Sequence, residues 1–428
     1  MHTSPRLRKD LNADALFKLV RAEFKKITDT RERPSYELAD ALMSGLALFS
    51  LKDASLLAFD ARRTDATVRS IYHLDHLPSD TTMRKILDAV DPTTIYPVFK
   101  KLLVKLQRGK GLEDMVFYNG HYLVSNDGTG YFSSEKVHCA ECLIKKRSTG
   151  NVEYHHNFLG SVIVHPDKRE VIPLCPEPIK NTDGSIKNDC EQNAGKRLFE
   201  RFRREHPHMK AIIIEDALAS NAPHLTELKR HNLRFIIGIK PGSHPYLFSV
   251  LAETPTETHE KLDPLGTQHR FRFINNVPLN ESHADVRVNV IEYWEEKRDG
   301  KQQHFTWVTD IRVTTDNVYT LMRGGHARWK IENETFNTLK NQGYQFEHNF
   351  GHGNKNLSTV FALLMMLAFL IDEIQQKMCA VFQAAWEVCG SKRALWERIR
   401  GAIQWRVFTS MVAILRAIAL QEKYSTTA

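Results

Sequence analysis

A chain of 428 residues with 42% hydrophobic and 26% charged side chains is long enough for two to four domains with sizeable cores, and this composition excludes wholesale disorder. Lys and Arg number 59 against 51 Asp and Glu, a formal charge of +8; that excess suits a polyanionic partner and equally serves as an ordinary solubility balance. The most apolar stretch, 360–371 between Lys355 and Asp372, is shorter than the ~20 residues that span a bilayer, and the basic N-terminus lacks the apolar run of a secretory signal, so a cytoplasmic, nucleoid-associated protein without membrane residence is expected.

Residues 14–108 read as short helices: Leu16, Val20 and Phe24 recur every four positions, a second apolar run spans 36–49, and Asp80 is placed to cap a helix through Met83, Ile86 and Leu87. With Arg62, Arg63, Arg69, Arg84 and Lys85 among them, they suit either a helix-turn-helix-like DNA-binding module or a plain helical bundle. From 116 the texture changes. A strand over 116–125 runs into Asn126-Asp127-Gly128-Thr129-Gly130, which reads as a turn; Tyr131-Phe132, 158–165 and 171–174 are further strands. A helix is predicted over 189–204, then an apolar strand 211–214 ending at Glu215-Asp216, a helix over 223–230 and a buried strand 235–239. Alternating runs at 269–274, 286–293 and 304–308 predict a small antiparallel sheet inserted between 241 and 321, after which the chain is helical to Lys340 and again over 358–421.

Asp127 and Asp216 each follow a predicted buried strand, and Glu332 lies on a helix able to pack against the same sheet edge. Singly, each has an ordinary reading as a turn former, helix cap or solvated acid, and Glu334 rivals Glu332. Together and in this order they are more specific. Three converging carboxylates require a counter-charge, and hard divalent cations with oxygen ligands provide it. Two such ions can clamp the attacking and leaving oxygens of an in-line phosphoryl displacement.

The stretch His326–Lys340 (HARWKIENETFNTLK) resembles the glutamate-bearing segment of bacterial insertion-sequence transposases of the DDE class, and within them the group marked by a Tyr-Arg-Glu-Lys signature. Arg328 stands four positions before Glu332, as in that signature, while Gly325 stands at its Tyr position and Leu339 at its Lys position, with Lys340 one step late. The resemblance implies an α/β, RNase H-like catalytic core over 116–240 and 322–375, a β-rich insertion over 241–321, a helical DNA-end-binding domain over 1–115 and a helical C-terminal region over 376–428. It implies two Mg²⁺ ions, with Mn²⁺ as a substitute, held by Asp127, Asp216 and Glu332. Metal-assisted cutting of transposon ends and joining of their 3′-OH groups to target double-stranded DNA would follow, in a complex containing at least a homodimer. Arg328 and Lys340 would contact phosphates. Trp307, with Trp294 second, would stack on a flipped base, although a Trp in a strand can equally belong to the core. An RNase H-like nuclease that never joins strands, a non-catalytic DNA-binding relic and a zinc-stabilised RNA-binding protein are the rivals.

His138-Cys139-Ala140-Glu141-Cys142 followed by His155-His156 carries half of a zinc pattern. Cys139, Cys142 and His155 are the expected zinc ligands, with Cys190 or His138 as fourth; free thiols or a redox pair are the alternatives. Cys379 and Cys389 are expected in the core. Lys145–Arg147 and the run Lys196–Arg204 are the densest basic clusters and read as solvated faces or as phosphate contacts.

Overall fold

The computed structural model describes residues 9–148, 150–181 and 191–421; Cys190 lies outside them. The chain is mixed α/β. Its strands, in chain order, are β1 Val116–Tyr118, β2 His121–Ser134, β3 Leu143–Lys146, β4 Val152–Val164, β5 Ile172–Pro173, β6 Glu177–Ile179, β7 Ala211–Glu215, β8 Arg234–Gly238, β9 Glu257–Leu262, β10 Gln268–Pro278, β11 Arg287–Glu296 and β12 Gln302–Thr309. They form one sheet in the order β3-β4-β2-β7-β8-β12-β11-β10-β9, with β1 added to β2 and with β5 and β6 added to β4. The β2–β4 and β4–β3 pairs are antiparallel, whereas β2–β7 and β7–β8 are parallel. Strand β7 (AIIIE) is buried throughout and β8 (RFIIG) is buried at its centre, as inner parallel strands covered on both faces must be.

Two expectations change here. Asn126–Gly130 is not a turn: β2 runs through it without interruption, paired to β4 from Leu123↔Val164 to Ser134↔Tyr154 with one bulge between Gly130 and Phe132. The Asn-Asp-Gly composition suggested a turn, but the ladder to β4 satisfies the backbone and overrides local preference. Nor do the inserted strands make a separate sheet. Strand β12 pairs antiparallel with β8 from Trp307↔Gly238 to Thr309↔Ile236, covering an edge that would otherwise expose unpaired backbone groups.

The helical ends of the chain, expected as separate regions over 1–115 and 376–428, are packed together. Helix Leu38–Ser50 is buried along its whole length and lies against helix Leu357–Met378, where a Cβ on Gly45 would come within 2.7 Å of Leu364 Cδ1. Helix Leu357–Met378 is long and apolar enough to cross a membrane, yet 89% of its most apolar window is buried in the fold. Its buried Asp372 pairs with Lys52 and accepts from the Tyr344 hydroxyl; the Lys52 ammonium sits 4.2 Å from the Tyr344 ring and 3.9 Å from the Trp396 ring. The Asp14 carboxylate accepts from the N–H groups of Met411 and Val412 at 2.7 and 3.1 Å. Arg62 and Arg84 of the first helices pair with Asp53 and Asp80. The arginines of helix Glu191–Glu205 are also engaged internally: Arg197 pairs with Glu177, Arg201 is buried on Glu177 and the Cys175 carbonyl, and Arg203 donates to the His231 carbonyl at 2.8 Å. Lys196 and Arg204 of that run are exposed.

Asp88 ties the two helical regions. Its carboxylate accepts the N–H groups of Asn354, Lys355, Asn356 and Leu357 at 2.9 to 3.0 Å, capping the start of helix Leu357–Met378 from the other end of the sequence. Burial works against its charge, but these donors outweigh burial and hold the carboxyl below its usual range. A depressed carboxyl contributes stability that is complete above the unfolded value, about 3.9 for Asp, and is lost as pH falls through the folded value. D88A should therefore cost about 1–2 kcal/mol of unfolding free energy at neutral pH, measured by denaturant titration, and the gap from wild type should close below about pH 4.

Candidate active site

The first two acids are brought together by register. In the parallel pair, Ser125 of β2 faces Ile214 of β7, and continuing two residues along each strand places Asp127 beside Asp216. Neighbouring strands lie about 4.8 Å apart, so the two acids stand side by side where β7 ends and β2 continues. Asp216 leaves β7 as the cap of a short turn, with its Oδ1 accepting from the Leu218 N–H at 2.9 Å. Both acids line a cleft of about 500 Å³ together with Asn126, Glu191, Glu215 and His224.

The third acid arrives on the far side of β2 and β4. After helix Val318–His326 the chain makes a π-helical turn, Ile331–Phe336, before helix Asn337–Asn341. Ile331, Thr335 and Phe336 are buried, whereas Glu332 is exposed. Two anchors fix this segment. The Arg328 carbonyl accepts from Ser125 Oγ at 3.1 Å, and Phe336 rests on Gly160, where any Cβ would come within 2.8 Å of its ring. Gly160 is the β4 partner of Asp127, so a glycine opposite the first acid admits the segment that carries the third. π-helical turns recur at functional sites because they re-aim side chains. Glu332 acts on Asp127 electrostatically, whereas the rival Glu334 is paired with Arg169 at 3.3 Å.

Burial is the largest influence on Asp127 and pushes its carboxyl above the usual range; Arg328, 3.5 Å away, pulls it down, while Asp216 and Glu332 push it up. Glu191, which the sequence reading did not single out, belongs to the same cluster. Its carboxyl lies over Gly128, a position where a Cβ would collide with it, and burial followed by the charges of Asp127, Asp216 and Glu215 raises it. Glu215 itself is part of the scaffold: buried, it accepts from Asn126 Nδ2 at 2.8 Å and pairs with His224 Nε2 at 2.5 Å. Burial opposes the His224 cation, but the Glu215 carboxylate outweighs it and raises the imidazole.

Other expected site residues sit elsewhere. Trp307 is 6% exposed and is a core residue, which removes it from base stacking. Its indole fills the space beside Gly325, where a Cβ would come within 2.6 Å of Nε1, and His326 packs 5.3 Å from it and 4.4 Å from Phe305. Trp294 stacks on His304 at 4.9 Å. Lys340 pairs with Glu347 at 2.9 Å. Trp329 is 49% exposed, with the Arg328 guanidinium 4.5 Å over its ring.

The cysteine motif gains partners with one correction. Alternation along β4 points His155 into the acidic cleft and His156 to the opposite face, where His156 joins Cys139, Cys142 and His352. His155 is thus not a member of the group. The sequence offered two adjacent histidines, and the strand's two-residue period decides between them. Cys379 is buried and Cys389 half-buried in the C-terminal helices.

The chain matches no protein-family model, and a comparison with curated proteins returns no match.

The site is electrostatically costly. A carboxyl held above its unfolded value withdraws stability as pH rises from the ordinary Asp value toward the folded one. D127N should therefore raise the melting temperature at pH 7 and leave it unchanged at pH 3, in thermal unfolding followed by circular dichroism. E332Q should lower the Asp127 pKa in a carboxyl ¹³C titration, and E334Q should leave it in place.

Proposed function

We propose that this protein is a DNA transposase of the DDE class, with an RNase H-like core that cuts transposon ends and joins their 3′-OH groups to target DNA. The observation that carries the reading is that register sets Asp127 beside Asp216, while the segment bearing Arg328 and Glu332 is anchored on the same strands through Ser125 and Gly160. The sheet order supports it: an antiparallel trio β3-β4-β2 followed by parallel β7 and β8, with the first acid on β2, where the antiparallel and parallel parts meet. The β-rich insertion lies between the second and third acids, as the resemblance implies.

The donor set fits hard divalent cations, because carboxylate oxygens whose like charges raise one another gain most from a metal that neutralises them. Asp127, Asp216 and Glu332 would hold two Mg²⁺, which supply Lewis-acid charge to the attacking and leaving oxygens of a phosphodiester. Water cleaves the end phosphodiester and leaves a 3′-OH; that hydroxyl then displaces a 3′-oxygen in the target, one P–O bond forming as one breaks. Arg328 has the reach to hold a phosphate oxygen beside Asp127, and its fork suits bidentate contact. Trp329 offers an exposed face for a base; Lys145 and Lys146 on edge strand β3 are exposed cations for the backbone. Two DNA ends call for at least a homodimer.

The test is incubation of the purified chain with Mg²⁺, a target plasmid and labelled DNA carrying the sequences that flank its coding region. Cut ends joined to the plasmid are expected, and D127N, D216N or E332Q should each lower the rate about 10³-fold or more, with E334Q near wild type. W329A should weaken end binding by about 1–3 kcal/mol in a fluorescence titration. Cutting without joining would instead favour a nuclease with the same carboxylates, and metal-independent cutting would remove the acids from the chemistry.

A further inference from the structure

On the face of the sheet that carries Asp127, away from the acidic cluster, four side chains aim at one point. Cys139 and Cys142 come from the loop between β2 and β3, His156 from β4, and His352 from the segment that precedes helix Leu357–Met378. The Cys139 Sγ to Cys142 Sγ distance is 3.8 Å, His156 Nε2 lies 3.5 and 3.3 Å from the two sulfurs, and His352 Nε2 lies 3.3 Å from Cys142 Sγ and 3.1 Å from His156 Nε2. A tetrahedral zinc with bonds of about 2.3 Å to sulfur and about 2.0–2.1 Å to nitrogen requires edges of about 3.8 Å for S···S, about 3.6 Å for S···N and about 3.3 Å for N···N. The five distances follow that pattern to within about 0.3 Å.

The surroundings agree. His352 Nδ1 donates to the Gly353 carbonyl at 2.8 Å, which fixes the proton on Nδ1 and leaves the Nε2 lone pair facing the centre, the usual support for a metal-bound imidazole. Cys142, His156 and His352 are buried, so lone pairs converge where water cannot solvate them. Aromatic rings wall the group: Phe132 lies 4.4 Å from His352, and Tyr131 stacks 5.8 Å from His156.

The geometry points to a structural zinc site formed by Cys139, Cys142, His156 and His352, which staples the segment following Glu332 onto the strands that carry and flank Asp127. All four positions are protein ligands, so the site is closed and carries no open position for substrate. Binding displaces one proton from each thiol to solvent. The location gives the staple its role. His156, Phe158 and Gly160 lie on one face of β4 by alternation, and the four residues from His156 to Gly160 span about 13 Å. Phe336 sits on Gly160 and Phe346 packs 5.7 Å from Phe158; His352 closes the series at His156. The strap from Glu332 to helix Leu357–Met378 is thereby fastened at its start by packing and at its end by the metal.

The test uses the full chain purified without chelator. Elemental analysis should give one zinc per chain; C142S and H352A should lose it, while H155A, one residue from a ligand, should keep it. Titration of the metal-stripped wild type with Co²⁺ should give the intense visible absorption of a tetrahedral thiolate site. Because a ligand variant can fail to fold, that wild-type spectrum stands alone: an octahedral or absent Co²⁺ spectrum overturns the site, as does zinc retained in both C142S and H352A. Hydrogen exchange should rise at least tenfold over 337–356 on removal of zinc. Unchanged exchange there would overturn the stapling role even with metal bound. None of these readouts depends on DNA cleavage, so the site stands or falls apart from the transposase reading.

Discussion

The repulsion among carboxyl groups beside the middle of β2 and the end of β7 is the constraint to which the surrounding structure answers. Asp216 and Glu332 push the Asp127 carboxyl up, and Asp127, Asp216 and Glu215 do the same to Glu191. Left in a desolvated cleft, such a set would protonate or move apart. The fold meets the problem locally with two contacts: Arg328 stands 3.5 Å from Asp127, and His224 Nε2 is hydrogen-bonded to the Glu215 carboxylate on the cleft floor. Among the described residues no Lys or Arg pairs with Asp216, Glu191 or Glu332, whereas the buried Asp372 is paired with Lys52.

Because repulsion would push these groups apart, they must be held from outside, and the two faces of the sheet do so differently. On the cleft face the Asn126–Glu215–His224 hydrogen bonds lock β2 to β7 and to the following helix. On the other face, among the described residues, no polar bond comes from the Glu332 side chain. Its segment is held by Phe336 on Gly160, by the Ser125 hydroxyl on the Arg328 carbonyl and, further on, by the strap to His352 and the Asp88 cap. That cap reaches from the N-terminal helices, so the helical bundle and the acidic edge are mechanically one unit.

Sequence alone made the order of elements legible because each rested on a local signal: apolar runs for β7 and β8, with an acid closing β7. It failed where the deciding interaction was distant. Nothing near Asp127 in the chain says that Thr129 will pair with Phe158 and keep an Asn-Asp-Gly stretch extended. His155 and His156 are equivalent by composition, and only the phase of β4 separates them. His352 is 210 residues from Cys142, beyond the spacing that any local zinc pattern uses. Trp307 looked available because a tryptophan in an alternating strand can face either way; the pairing of β12 with β8 turns it inward. Glu191 was hidden because a lone Glu at a helix start has an ordinary explanation.

Gly325 shows how a close approach is filled from across the fold. The space where its side chain would stand is taken by the Trp307 indole, against which His326 packs. A side chain at 325 would have to displace that ring, and Gly324 has the same relation to Phe117, 2.9 Å from where its Cβ would be. The two glycines let helix Val318–His326 lie close to β8 and β12, and the depth of that helix sets where Arg328 and Glu332 emerge. The insertion is therefore more than an appendage between the second and third acids. By extending the same sheet and presenting Trp307, it builds the surface on which the glutamate-bearing segment begins, while Gly160 and the His352 strap determine where that segment ends.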